Sequence, residues 1–146
     1  QTWGAQALME EQPGHNPSLH AATFKQRASS ATALLTISAD LPLLCISDIQ
    51  GLIEQSAHHS VVLAQSHEGT GTNAILVHPP LAVPYLFGPN SLQHYQQAAQ
   101  QRRLSSTLFQ SRGLATDIDT IEDLRELRHL DCKFEEEIEL ATCDFR

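Results

Sequence analysis

At 146 residues, with 41% hydrophobic and 18% charged side chains, the chain can bury roughly 70% of the surface its unfolded form exposes, so one domain with a real core is expected. Nine Lys and Arg stand against 17 Asp and Glu, for a formal charge of -8. With no basic stripe, this argues against nucleic acid as a partner, because phosphate-backbone affinity rests on clustered Lys and Arg. The apolar runs fall well short of the roughly 20 residues that span a bilayer and no signal peptide opens the chain, so a cytoplasmic protein without a membrane partner is expected. Cys45, Cys132 and Cys143 form no C-x-x-C pair, so reduced thiols are expected rather than a zinc site or a disulfide framework.

The chain opens on Gln1, and Thr2 to Leu8 reads as the end of an element begun earlier. The expectation is a fragment that lacks its first βα unit or units. Asn16-Pro17 has the form of an N-cap followed by a first-turn proline, with Leu19, Ala22 and Phe24 on one face of a helix to about Gln26. Residues 31–38 are β-branched and apolar on successive positions, which predicts a strand covered on both sides within a parallel sheet. Asp40 falls just past its carboxyl end. Ser47 with Gln50 resembles a capping box, and Ile49, Leu52 and Ile53 give the stripe of a helix packed on that sheet.

Val61 to Ala64 predicts a second strand, and the polar loop Ser66 to Asn73 leads to a third at Ala74 to Val77, closed by Pro79-Pro80. Ser91 starts a helix with Leu92, Tyr95, Ala98 and Ala99 on one face. Leu104 to Phe109 reads as a short strand, and Leu114 to Asp119 as another. Thr120 with Asp123 is an N-cap pair for a helix to about His129. The tail, 131–146, carries Glu135 to Glu137 and reads as an acidic C-terminal extension. Alternating strands and helices without repeats predict a single three-layer α/β domain over 1–146, with a mostly parallel sheet whose ligands bind at the carboxyl ends of the strands.

Four polar patches lie where these elements meet: Ala39 to Pro42, Gly69 to Asn73, Phe87 to Ser91 and Asp117 to Thr120. Two are acidic and two are rich in Gly and hydroxyl residues, the composition that holds a metal between carboxylates and phosphate oxygens on backbone amides. Ser91 would add its hydroxyl and the free amides of a helix start, and Gly88 would let backbone approach closely. Each patch also has a plainer reading. Asp40 can cap a turn, G-T-G-T can be a hairpin connection, Ser91 can be an N-cap, and Asp117 and Asp119 can be solvated residues entering a helix. The eight histidines have no ligand spacing.

Taken in order, A-D-L-P at 39–42, G-T-G-T-N-A at 69–74, F-G-P-N-S at 87–91 and D-I-D-T-x-E-D-L at 117–124 resemble the guanylyltransferases that activate a phosphorylated three-carbon acid in coenzyme F-420 biosynthesis. These belong to the wider nucleotidyltransferase group that includes the molybdenum-cofactor guanylyltransferases. The resemblance implies a Rossmann-like, nucleotide-diphospho-sugar-transferase-like fold. It also implies transfer of GMP from GTP to 2-phospho-L-lactate, phosphoenolpyruvate or 3-phosphoglycerate, with release of pyrophosphate. By similarity, Asp40 and Asp119, with Asp117 as the alternative to Asp119, would hold Mg2+ and carry catalysis. Thr72, Gly88 and Ser91 would hold the acid. Gly14 and Asn16 resemble the family's Gly-x-Asn near the nucleotide. The family's N-terminal strand and triphosphate loop have no counterpart in the sequence. That leaves open an impaired fragment or a non-catalytic binding subunit of the same fold, while a sugar or molybdopterin substrate is the third reading. A homodimer is left open as well.

Overall fold

In a computed structural model, residues 7–9, 13–26, 31–125 and 127 are described. Four strands form one sheet: β1 (Leu34–Ile37), β2 (Val61–Gln65), β3 (Thr72–Val77) and β4 (Ser106–Leu108), in the order β1-β3-β2-β4. Pairing of β3 with β1 and with β2 is antiparallel, and β2 with β4 is parallel. Three of the four strands therefore run in one direction with β3 reversed between two of them, so this is a mixed sheet. The 31–38 segment contributes only β1, and not to a parallel pair. At the edge of the described sheet, its residues are only half-buried.

Strand alternation divides the core in two. Val61, Leu63, Ile75 and Val77 face α3 (Ser91–Gln101), where Leu92, Tyr95, Ala98 and Ala99 are buried as their helical spacing predicts. Val62, Ala64, Ala74 and Leu76 face the other way, against Leu52 of α2 (Ile46–Ser56) and Leu114 of α4 (Arg112–Ala115). Helices thus cover both faces, and all six residues of β3 are buried. Burying an aliphatic side chain stabilises by about 1.5–3 kcal/mol, so this double layer supplies most of the drive to fold.

Several boundaries differ from the sequence reading for local reasons. α2 is capped by Cys45 and Asp48, not Ser47 and Gln50: the Asp48 carboxylate accepts the Cys45 amide at 2.9 Å. Ile53 and Phe24 are exposed, so only part of each expected apolar stripe is used. Asn90, in the left-handed region, precedes α3, which places Ser91 inside the first turn rather than at the cap. Leu114 to Asp119 is not a strand, because Ser111 caps the single turn α4 and 116–119 are irregular. α1 (His15–Gln26) begins before Asn16, leaving that side chain free to reach elsewhere. Helical structure resumes at 121–125, while the predicted end near His129 and the acidic extension at 131–146 lie outside the described residues.

Candidate functional site

The four polar patches are fastened to one another by backbone hydrogen bonds. Leu92 N donates to Thr70 O at 3.1 Å, joining the G-T-G-T-N loop to the F-G-P-N-S turn. Ile118 N donates to Asp40 O at 3.1 Å, joining the two acidic patches. His67 N donates to Ala115 O at 2.8 Å, drawing the loop toward the 116–120 segment. A cleft of about 500 Å³ lies between them, lined by Thr72, Gly88 and Ser91 and, on the acidic side, by Asp117, Asp119 and Asp123. Asp40 adjoins the cleft without lining it.

The G-T-G-T stretch connects antiparallel neighbours β2 and β3, so it is a hairpin loop in form, with Ser66 N bonded to Gly71 O at 3.1 Å and Gly71 N to the Ser66 hydroxyl at 3.1 Å. This pairing delivers Thr72 as the first residue of β3, 5% exposed, and its buried Oγ1 has no hydrogen-bond partner. Such an atom forgoes about 1–3 kcal/mol unless something else bonds to it. Gly88 follows Phe87 at φ +127°, a conformation that L side chains rarely adopt, and Ser91 is 1% exposed.

The helix start offers an anion less than the sequence suggests. Ser91 N is bonded to Gly88 O at 3.1 Å and Leu92 N to Thr70 O, so two of the first-turn amides are already occupied. Both bonds tie residues that line the cleft, Gly88 and Thr70, to the first turn of α3.

Opposite this wall the cleft is acidic. Partial desolvation, then the neighbouring charges of Asp117, Asp40, Asp123 and Glu68, push the carboxyl of the exposed Asp119 above its ordinary value. Asp40 and Asp119, 79 positions apart, are thus electrostatic neighbours. Asp123 is held low by the Thr120 hydroxyl and by the amides of Thr120 and Asp119, which reach its Oδ2 at 2.7 and 3.0 Å. Its carboxylate therefore fixes the backbone that carries Asp119. Among the described residues no three His, Cys, Asp or Glu side chains form a ready-made cage.

Gly14 and Asn16 do not line the cleft. Gly14, at φ +106°, accepts the Ser18 amide and hydroxyl, and Asn16 bonds to the Phe87 backbone. Glu68, Asn73, Thr116 and Asp123 do line it, and sequence reasoning gave none of them a site role. Asp123 carried a signal, as the fourth residue of a capping pattern; Glu68 carried only its place in the loop.

Helices cover both faces of a mixed sheet, with the cleft beyond its strand ends, and the fold is of the nucleotide-diphospho-sugar-transferase-like class. A solved structure from Desulfovibrio desulfuricans G20, described as a nucleotide-diphospho-sugar transferase, superposes with a TM-score of 0.69 at 15% identity, covering 81% of this chain and 52% of that one. Within the class, the sequence model of the family described as "Guanylyl transferase CofC like" matches residues 1–135, and the chain belongs to that family. The phosphoenolpyruvate guanylyltransferase of Rubrobacter xylanophilus is 35% identical over 125 residues, 85% of this chain and 61% of the relative. That of Roseiflexus sp. is 38% identical over 122 residues, 83% of this chain and 54% of the relative. The 3-phospho-D-glycerate guanylyltransferase of Colwellia psychrerythraea is 31% identical over 137 residues, 94% of this chain and 65% of the relative. The chain thus spans roughly three-fifths of the length of the curated relatives it matches.

Proposed function

We propose that this chain carries the acid- and metal-binding part of a magnesium-dependent, cytoplasmic guanylyltransferase, which moves GMP from GTP to a phosphorylated three-carbon acid in coenzyme F-420 biosynthesis. The observation that carries the reading is the unpartnered, buried Thr72 hydroxyl in a cleft shared with Gly88, Ser91 and the Asp119 carboxylate cluster. It supports an oxyanion ligand on one side and a cation on the other. Similarity to relatives named for phosphoenolpyruvate and 3-phospho-D-glycerate supplies the substrate class.

The donor set fits magnesium. Asp119 and Asp40, with Asp117 beside them, offer hard oxygens, and magnesium usually takes one or two carboxylates and fills its shell with water and substrate phosphate. When bound, magnesium would supply charge neutralisation. Carboxylate repulsion explains why these residues would gain from a cation: the like charges of Asp117, Asp40 and Asp123 already disfavour the ionised form of Asp119, and a divalent ion would remove that cost.

In the reaction, an oxygen of the acid's phosphate attacks the α-phosphorus of GTP. A phosphoanhydride bond forms, the α–β bond breaks, and pyrophosphate leaves. That phosphate is already largely ionised at pH 7, its second pKa being about 6, so no general base is needed. Thr72 and Ser91 would hold the acid by hydrogen bonds, Gly88 would let backbone approach it, and positioning with charge neutralisation would do the rest.

The test is to mix the intact gene product with magnesium, labelled GTP and each of phosphoenolpyruvate, 3-phosphoglycerate and 2-phospho-L-lactate, and to measure pyrophosphate. Release with one acid, lost in Asp40→Asn, is expected. No release with any of the three sinks the enzymatic reading. Binding of an acid without turnover would mark a non-catalytic subunit instead.

A further inference from the structure

Asn16 sits 71 positions from Phe87, yet its side chain brackets that residue's backbone: Phe87 N donates to Asn16 Oδ1 at 2.9 Å and Asn16 Nδ2 donates to Phe87 O at 2.9 Å. The next residue is Gly88, whose carbonyl in turn accepts Ser91 N. The peptide gripped by Asn16 is therefore the one that leads directly into the wall holding Gly88 and Ser91.

The rest of this segment is fastened too, by the same helix together with β1 and α3. Tyr85 Oη lies 2.8 Å from Thr23 Oγ1 on α1 and 2.9 Å from Thr36 Oγ1 on β1. Leu86 N donates to Tyr95 Oη at 2.9 Å, and the Phe87 ring meets those of His15, Tyr85 and Tyr95 at 5.4, 6.0 and 5.6 Å between centroids. Of these ties, only that of Asn16 grips both polar groups of one peptide-bearing residue and so fixes its orientation as well as its place. Replacing it would leave the aromatic packing to hold Phe87 while letting the following glycine, which has no side chain to anchor it, turn away.

We infer that Asn16 is a positioning residue for the acid subsite, acting through the Phe87 backbone on Gly88 and Ser91 rather than by contact with nucleotide; this rests on the function proposed above. α1 then serves as a brace behind the acid-binding wall. The bracket uses both ends of a carboxamide, so Asp, which keeps the acceptor and loses the donor, should serve in part, and Ala not at all.

The experiment has two arms in the intact protein. The first, without ligand, follows amide hydrogen exchange at Phe87: Asn16→Ala should speed it at least tenfold and Asn16→Asp by less, whereas an unchanged rate overturns the bracket. The second measures affinity for phosphoenolpyruvate, 3-phosphoglycerate and GTP. Asn16→Ala should weaken the preferred acid about tenfold while GTP affinity stays within twofold. Loss of GTP affinity with the acid unaffected, or no change in either, overturns the inference. Should Asn16→Ala fail to fold, Asn16→Asp decides on the same readouts, with wild-type acid affinity counting against it. If the unaltered protein binds no acid, the proposed function falls, and the exchange arm alone judges whether Asn16 sets the turn.

Discussion

Thr72 is where the cost of an unused hydrogen bond and the benefit of a ligand can be separated by one substitution. Valine has the same shape without the hydroxyl, so Thr72→Val removes an unpartnered buried polar atom and should leave the ligand-free protein as stable as before, or more stable by up to about 1 kcal/mol. On the function proposed above, acid affinity should drop about tenfold by calorimetry, because the bond withheld from the protein would be the one offered to the acid. A stability loss with unchanged affinity would show that the hydroxyl is structural. Asp119 makes the converse case. Its carboxyl is pushed above the ordinary 3.8, so the ionised form is disfavoured in the folded state. Its charge therefore costs stability at pH 7, and that cost is relieved as pH falls through the raised value and is gone below 3.8. Asp119→Asn should be slightly more stable than wild type at pH 7, by under about 1 kcal/mol since water screens exposed charge, equal to it in acid, and inactive. Urea unfolding across pH measures the first two and pyrophosphate release the third. Thr72, Gly88, Ser91, Asp117 and Asp119, which the structure brings to one cleft, stood out in the sequence because their types and order are distinctive. The sequence hid the occupied amides of Ser91 and Leu92, since a backbone partner such as Thr70 O is chosen by tertiary folding and leaves no mark in residue identity.

Among the elements, α2 and α4 are joined through one carboxylate. Asp48 is buried on α2, where it accepts the Cys45 amide and thiol and the hydroxyl of Ser111, the cap of α4. Burial alone would raise its pKa, but the thiol, hydroxyl and amide together outweigh that and hold it below 3.8. A depressed pKa stabilises the fold above the ordinary value, and the contribution is lost as pH falls through the folded one. Asp48→Ala should therefore cost about 2–4 kcal/mol at pH 7, the sum of a lost cap and unpaired donors, and the gap from wild type should narrow as pH falls below 3.8 and through the lower folded value. Gly113 shows how close the two helices stand. A Cβ there would overlap Asp48 Oδ2 and lie 2.7 Å from the Leu43 carbonyl oxygen, so Gly113→Ala should destabilise by several kcal/mol in thermal unfolding. α3 was legible from its apolar stripe because every residue of that stripe is buried. α4 was not, since a one-turn helix is too short for periodicity and Leu114-Ala115 fits a strand equally well. Strand direction was hidden for a related reason: an apolar run such as Ala31 to Ser38 records burial but not which way its neighbour points.

At the scale of the whole molecule, the described cleft-lining side chains include several carboxylates and no lysine or arginine. A divalent cation should consequently stabilise the fold: at ten times its Kd, magnesium should add about 1.4 kcal/mol, read as a rise in Tm that EDTA reverses and Asp119→Asn abolishes. An unchanged Tm in the unaltered protein would remove the cation from the proposed site. The three-layer arrangement was readable in outline because alternating elements leave few alternatives, whereas convergence of patches as distant as Asp40 and Asp119 required coordinates. The fastenings between those patches, from Leu92 to Thr70, Ile118 to Asp40 and His67 to Ala115, run through peptide groups that every amino acid except proline possesses. Such a frame is indifferent to the groups it displays. Side chains facing the cleft can be exchanged without rebuilding its walls, so a few substitutions on one inherited chassis suffice to change what the cleft accepts.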